Sequence, residues 1–377
     1  MVLNDICEFI VDCPHSTAPD EGEGYPIIRT PNVGRGRLIL DGVQRVSKAT
    51  YDKRNIRAVP QKDDIIFARE APAGNAAIIR AGQEVCLGQR TVLIRPDKKK
   101  VCPQFLAYYI LAPKQQYELL GTANGATVAH VNIPIIRNMP VNIPKIEIQE
   151  RIAEILSSYD DLIENNKKQI KLLEEAAERL YREWFVDLHF PGCEDVKIVD
   201  GVPKGWLDGT VGNIALFKRG KTITKAQIHK GNVPVVAGGL EPAYYHNVAN
   251  TVAPVITISG SGANAGFARL YNVDVFASDC SFVDSQTTPY LFWVYCFIKD
   301  SKAKLDSLQK GSAQPHVYAK DINALKIYIP TDDILDRFCK VVAHYFGKIK
   351  NLQRQNDLLL QARDRLLPRL MSGEVEV

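Results

Sequence analysis

Residues 125–180 and 311–366 fall into register, without a gap, when one segment is slid 186 positions onto the other. Gly125, His130, Val131, Ile143, Pro144, Arg151, Tyr159, Ile163, Asn165, Gln169, Leu172, Leu173, Ala176, Arg179 and Leu180 reappear as Gly311, His316, Val317, Ile329, Pro330, Arg337, Tyr345, Ile349, Asn351, Gln355, Leu358, Leu359, Ala362, Arg365 and Leu366. Solenoid units run to roughly 20–50 residues, so a period this long means that each copy is a whole domain with a connector. Upstream the likeness weakens: Leu3-Asn4-Asp5-Ile6 sits like Val211-Gly212-Asn213-Ile214, and Ile65-Ile66-Phe67 like Ile256-Thr257-Ile258, with a drifting offset. The two halves kept their connectors and diverged in their globular parts.

The connectors read as helices. After Pro144, Ile148, Ile152, Ile155, Tyr159 and Leu162, then Ile170, Leu173, Ala177, Leu180 and Trp184, keep a three-four spacing with no Gly or Pro before Pro191. Phe338, Val341, Tyr345, Ile349, Leu352, Leu359 and Leu366 repeat it. At 1.5 Å per residue each rod is on the order of 50–60 Å long. Two such amphipathic rods should pair as an antiparallel coiled coil, with Asn166 and Asn356 as polar interruptions of the seam. Pro368 stands where the first copy has Arg182, which predicts that the second rod ends earlier.

A second stripe carries more information. Asn165, Gln169, Leu172, Ala176 and Arg179 step by four, three, four and three along one face, and each is identical in the other copy. Packing of rod on rod would favour matching in the apolar seam alone. A matched, partly polar face points to one kind of partner met twice, with Asn165, Gln169, Arg179, Asn351, Gln355 and Arg365 as its polar contacts.

Ahead of each rod the pattern is mixed. Ile65 to Phe67, Ala76 to Ile79 and Thr91 to Ile94 read as strands and Gln104 to Leu111 as a helix. Val255 to Ile258, Phe267 to Leu270, Val273 to Phe276 and a helix near Tyr290 to Lys299 follow in the same order. The expected class is α+β, with two similar mixed α/β domains, residues 1–144 and 191–330, joined by long helices at 145–190 and 331–377.

With 377 residues, 46% of them hydrophobic, the chain can bury two cores. No apolar run reaches the roughly 18 residues of a membrane span, and Asp5 and Glu8 stand where a signal peptide would be basic then apolar. A cytoplasmic protein is expected. The eight cysteines form no C-x-x-C pair and read as free thiols. Net charge is only +4, but its distribution is uneven. Arg29, Arg35, Arg37, Arg45, Lys48, Lys53, Arg54 and Arg57 cluster against Asp41 and Asp52, and Lys218, Arg219, Lys221, Lys225 and Lys230 lie in a stretch without acids. One positive face on each domain suits a polyanion long enough to touch both, such as duplex nucleic acid.

Catalytic signatures are weak. Ala215 to Thr222 has the spacing of a phosphate-binding loop, but its interior is bulky and Thr222-Ile223-Thr224 favours a strand over the helix such a loop needs. Gly260 to Gly266 resembles a dinucleotide fingerprint with its third glycine one place late, and a turn between strands is the simpler reading. No metal set or nucleophile motif occurs, nor the Asn-Pro-Pro-aromatic signature of amino-methyltransferases. A nucleotide-binding enzyme acting through Lys221 and a coiled-coil adaptor without DNA binding remain the alternatives.

The chain resembles the specificity (S) subunits of type I restriction-modification systems over essentially its whole length. The likeness rests on Ile148-Gln149-Glu150-Arg151-Ile152-Ala153 opening one helix and Glu174-Glu175-Ala176 through Phe185 closing it. Val202-Pro203-Lys204-Gly205-Trp206 enters the second domain, and Leu366-Leu367-Pro368-Arg369-Leu370-Met371-Ser372-Gly373-Glu374 lies at the end. The resemblance implies two target recognition domains, each reading half of a split asymmetric site in double-stranded DNA. Paired helices would space them and bind two methyltransferase subunits, with restriction subunits joining the complex. It also implies a non-catalytic chain, S-adenosylmethionine and ATP belonging to those partners.

On that reading, Lys and Arg hold phosphates while loop side chains reach base edges, Arg or Lys suiting guanine and Asn or Gln suiting adenine. Candidates are Arg29, Asn32, Arg35, Arg37, Arg69, Gln89, Arg90 and Asn124 in the first domain. In the second they are Lys218, Arg219, Lys221, Ser261, Asn264, Lys310, Ser312 and Gln314. His130 and His316, identical in both halves, suit structure or phosphate contact better than discrimination.

Overall fold

The computed structural model describes residues 1–121, 130–311 and 315–377. They divide into two compact units, Met1–Asn165 with Gln355–Val377, and Asn166–Arg354. The division runs through both long helices, because each half of each helix shares a core with the globular part of its own unit.

In the first unit a five-stranded sheet has the order Cys7–Asp12, Thr91–Pro96, Ile65–Ala68, Ala76–Ile78, Gly36–Arg37. A three-stranded sheet places Tyr25–Ile28 between Arg45–Val46 and, in parallel, Cys86–Leu87. The central strand Ile65–Ala68 is buried along its whole length, as its unbroken apolar run requires, and the almost wholly buried helix Pro103–Leu111 shares its core.

The second unit repeats the plan with four strands in its main sheet in place of five. Lys218–Arg219, Cys280–Asp284, Val255–Ser259 and Ala268–Tyr271 form one sheet in that order. Tyr244–His246, Val233–Val236 and Phe276–Ala277 form a second, the last pair again parallel, and Leu207–Thr210 pairs with Lys326–Ile329. Helix Leu291–Asp300 takes the place of Pro103–Leu111. Two local expectations fail here. Val273 to Val275 lies outside any strand, because Asn272 and Asp274 turn the chain and Asp274 accepts from the amide of Ala253 at 2.8 Å. Thr222-Ile223-Thr224 is not a strand either: no neighbouring strand pairs with it, and Thr224 opens a short 3₁₀ turn, Lys225–Gln227.

The connectors are helices of 40 residues, Ile146–Phe185, and 41 residues, Asp332–Ser372. Within each unit the two halves run antiparallel. In the first, Ile152 and Leu156 share a core with Leu367 and Leu370, and Arg363 pairs with Asp160. In the second, the Phe338 ring lies 5.0 Å from Phe185 and 5.7 Å from Trp184. Asn166 and Asn356 are buried.

The second helix does not end early. It runs through Pro368, whose missing N–H and ring cost about 3 kcal/mol in a helix interior. Leu367 and Leu370 are buried on either side of it, and at roughly 1.5–3 kcal/mol per leucine their burial offsets that cost. No helix among the described residues is long and apolar enough to cross a membrane.

Candidate nucleic-acid interface

At the end of the central strand of the first unit, a chain of charged side chains surrounds His130. Arg69 donates through Nη1 to both oxygens of Asp12 at 3.0 and 3.1 Å, through Nε to the carbonyl of Val131 at 3.0 Å, and through Nη2 to Nε2 of His130 at 2.8 Å. His130 Nδ1 then contacts Glu70 Oε1, and Glu70 Oε2 accepts from Arg90 at 2.9 Å. A guanidinium can only donate to Nε2, so the imidazole N–H lies at Nδ1 and donates to the Glu70 carboxylate. His15 adds a contact to Asp12 at 3.1 Å.

The corresponding end of the second unit gathers Lys218 to Lys221, Ser261, Asp279, Lys310 and His316. Strand Lys218–Arg219 pairs with Phe282 and Ser281, Ser261 donates its hydroxyl to Asp279, and Ser261 and Lys310 both bridge to His316 through the backbone. Lys310 Nζ is held by Asp321 at 2.8 Å, Asn264 donates to the carbonyl of Gly238, and His316 stacks on Tyr318.

The candidate residues thus divide by what they touch. Arg69 is buried and committed inside the fold. Arg35 donates to the carbonyl of Leu111, and Arg37, with Arg80, to Asp161 on the first long helix. Burial works to raise the Asp161 carboxyl, and Arg37 and Arg80 more than offset it, leaving the group below its ordinary range. Asn32 closes its own turn, accepting from the amide of Arg29 and donating to the carbonyl of Ile39, and Gln89 donates to the carbonyl of His15. Arg29, Arg90, Lys218, Arg219 and Lys221 are exposed. Asn124, Ser312 and Gln314 lie outside the described residues.

The basic run of the first domain is therefore no uniform positive face: Arg54 is buried against the carbonyls of Leu87, Ser16 and Pro14, and Arg45 and Arg57 also donate to carbonyls. A loop that turns on itself has carbonyls to satisfy, and arginine satisfies several at once. Sequence reasoning passed over Asp12, Glu70 and Asp279, since acids are not sought in a reader of polyanions. Their one signal was nearness to strand ends that the topology brings beside the two matched histidines.

The matched stripe of the long helices faces outward. Leu172 is 64% exposed and Leu358 57%, the polar positions Asn165, Arg179, Asn351, Gln355 and Arg365 are exposed, and Gln169 is half-buried. Leu172 and Leu358 therefore lie outside the apolar seam, at matching positions on the solvent side of their helices.

A phosphate-binding loop is absent where its spacing suggested one. The amides of Gly220 and Lys221 are used by the carbonyls of Cys280 at 2.8 Å and Ala277 at 3.0 Å, and such a loop needs them free. Gly260 to Gly266 is a turn between strands, holding the 3₁₀ segment Gly262–Asn264. Among the described residues no group of His, Cys, Asp and Glu could hold a metal ion.

Duplicated sheets, each with a helix bearing the same outward stripe, define a two-domain recognition scaffold, and comparison with known proteins agrees. The model of the type I restriction modification DNA specificity domain matches residues 1–175 and 203–358, and the chain belongs to that family. It is 27% identical over 365 residues to the type I restriction enzyme MjaIX specificity subunit of Methanocaldococcus jannaschii, covering 90% of this chain and 83% of that one. With the HindI specificity subunit of Haemophilus influenzae it shares 21% identity over 406 residues, 84% and 87% being covered. The crystal structure of the type I restriction-modification system S subunit from M. genitalium has the same fold, with a TM-score of 0.54 at 18% identity over 98% of this chain and 95% of that one.

Proposed function

We propose that this chain is the DNA-recognition subunit of a type I restriction-modification complex. Residues 1–144 and 191–330 each read one half of a bipartite, asymmetric site in double-stranded DNA, and the long helices set the spacing and dock two methyltransferase subunits. The supporting observation is a contrast: the outward stripes of the helices match residue for residue, while the polar ends of the two domains carry different side chains on the same sheet order. Identical faces suit one partner taken twice. Different polar ends suit two different half-sites, so the target is not a palindrome.

On this reading the chain is not itself an enzyme and acts in the cytoplasm. S-adenosylmethionine and ATP belong to the methyltransferase and restriction subunits, and the methyltransferases flip the target base while the two domains hold the duplex. Exposed Arg29, Lys218, Arg219 and Lys221 are placed to meet phosphates, which add affinity that falls as salt rises.

The test is selection of a randomised duplex pool by the full chain assembled with its methyltransferase subunits. Enrichment of one split, non-palindromic sequence at a fixed spacer is the expected result. Retention of methyltransferase without any selection of DNA would instead make the chain a coiled-coil adaptor.

A further inference from the structure

The two polar ends share one backbone framework, bond for bond. The amide of Cys13 donates to Thr91 as that of Gly220 does to Cys280, Arg69 to Arg90 as Gly260 to Asp279, and Val131 to Arg69 as Val317 to Gly260. Ala68 exchanges bonds with Gly74 and Asn75 as Ser259 does with Gly266 and Phe267, and Gly88 donates to Ile28 as Ser278 does to Val236. These bonds make residue equivalences that sequence alone could not align. Asp12 stands where Arg219 stands, Arg69 where Gly260 stands, Glu70 where Ser261 stands, and Arg90 where Asp279 stands. The matched histidines, 130 and 316, sit beside both sets.

Charge is inverted within this shared frame. The first domain has an acid at the strand position and an arginine at the turn, and the second has an arginine at the strand and an acid at the turn. Arg90 is 61% exposed, and its Nη1 is tethered by Glu70, which leaves the Nε–Nη2 edge of the guanidinium for a bidentate acceptor. Its φ is +64°, a left-handed conformation that a non-glycine residue holds only where its surroundings impose it. Asp279 is half-buried; Ser261 occupies its Oδ2, and Oδ1 remains as an acceptor.

We propose that Arg90 and Asp279 are equivalent base readers of opposite chemistry. Arg90 takes the O6 and N7 of a guanine in one half-site, and Asp279 accepts the exocyclic amino hydrogen of a cytosine or adenine in the other. The assignment rests on the DNA-recognition reading above and adds to it which residues, on which framework, make the half-sites differ.

The experiment uses the full chain assembled with its methyltransferase subunits and reads base preference, position by position, from a randomised duplex pool. Arg90→Ala and Arg90→Lys lose roughly 10–100-fold preference for one guanine in one half-site and leave the other half-site unchanged. Asp279→Ala does the converse, and the base that becomes free shows whether the lost contact was to cytosine or adenine. Arg90→Gly relieves the left-handed backbone, so it melts no lower than the parent and still loses the guanine preference. Uniform weakening on all sequences, full preference retained by Arg90→Lys, or a guanine or thymine requirement at the Asp279 position would each overturn the assignment. An unmodified complex that selects no sequence would instead refute DNA recognition itself, and the assignment with it.

Discussion

Arg363 of the second long helix donates to Asp160 of the first, and the hydroxyl of Tyr108 donates to the other carboxylate oxygen at 2.6 Å. Both charged side chains are about nine-tenths buried, and the repeat puts Phe346 and Ala177 at the matching positions of the other copy. Burial opposes the charge on Arg363; Asp160 and Asp364 more than offset it, so its pKa lies above the ordinary value. Arg363→Met leaves Asp160 uncompensated and should cost about 3–5 kcal/mol in denaturant unfolding. Adding Asp160→Leu to it should recover part of that loss. Single effects that simply add would show that the pair is not coupled.

Arg69 should behave as a structural residue. Arg69→Met takes the guanidinium from Asp12, from His130, which keeps Glu70, and from the Val131 carbonyl together, and a buried group left unpaired costs about 1–3 kcal/mol. The expected sign is a lower melting temperature, with base preference intact below it. A variant as stable as the parent that misreads one base would make Arg69 a direct reader.

Leu172→Asp and Leu358→Asp should leave stability within about 0.5 kcal/mol, because both side chains stand in solvent. Each alone should reduce the methyltransferase content of the complex from two subunits to one, and together they should abolish it, as read by native mass spectrometry. Unaltered stoichiometry in the double variant would exclude the stripe as the docking face.

Stability should fall on the alkaline side. Burial pushes the thiols of Cys7 and Cys280 up to about 12 and those of Cys86 and Cys339 to about 11, from an ordinary value of 9.0. A proton held more tightly in the folded chain gives stability that is complete below pH 9 and is lost as pH rises through 11 to 12. Alkylation of these four at pH 8 should accordingly be much slower in the native chain than in the unfolded one. Equal rates would show that the thiols are not protected by the fold.

Much of the architecture was legible in the residues themselves. A gap-free internal match and a three-four apolar spacing are local and periodic, so two helices, two similar domains and one outward stripe could be read without coordinates. The central strand Ile65–Ala68 announced itself as an unbroken apolar run, and Val255–Ser259 as a β-branched one. Tertiary contacts decided what depends on neighbours distant in sequence. Pro368 stays inside a helix because Leu367 and Leu370 are buried around it, Arg35 and Arg37 are bound to a carbonyl and a carboxylate far along the chain, and Arg54 is buried altogether. Whether an arginine meets solvent or a carbonyl is set by which loops the sheet brings together, and no periodicity records that. The inversion between Arg90 and Asp279 is of the same kind: the two stand at matching places only through backbone hydrogen bonds between strands, which leave no mark in the order of side chains.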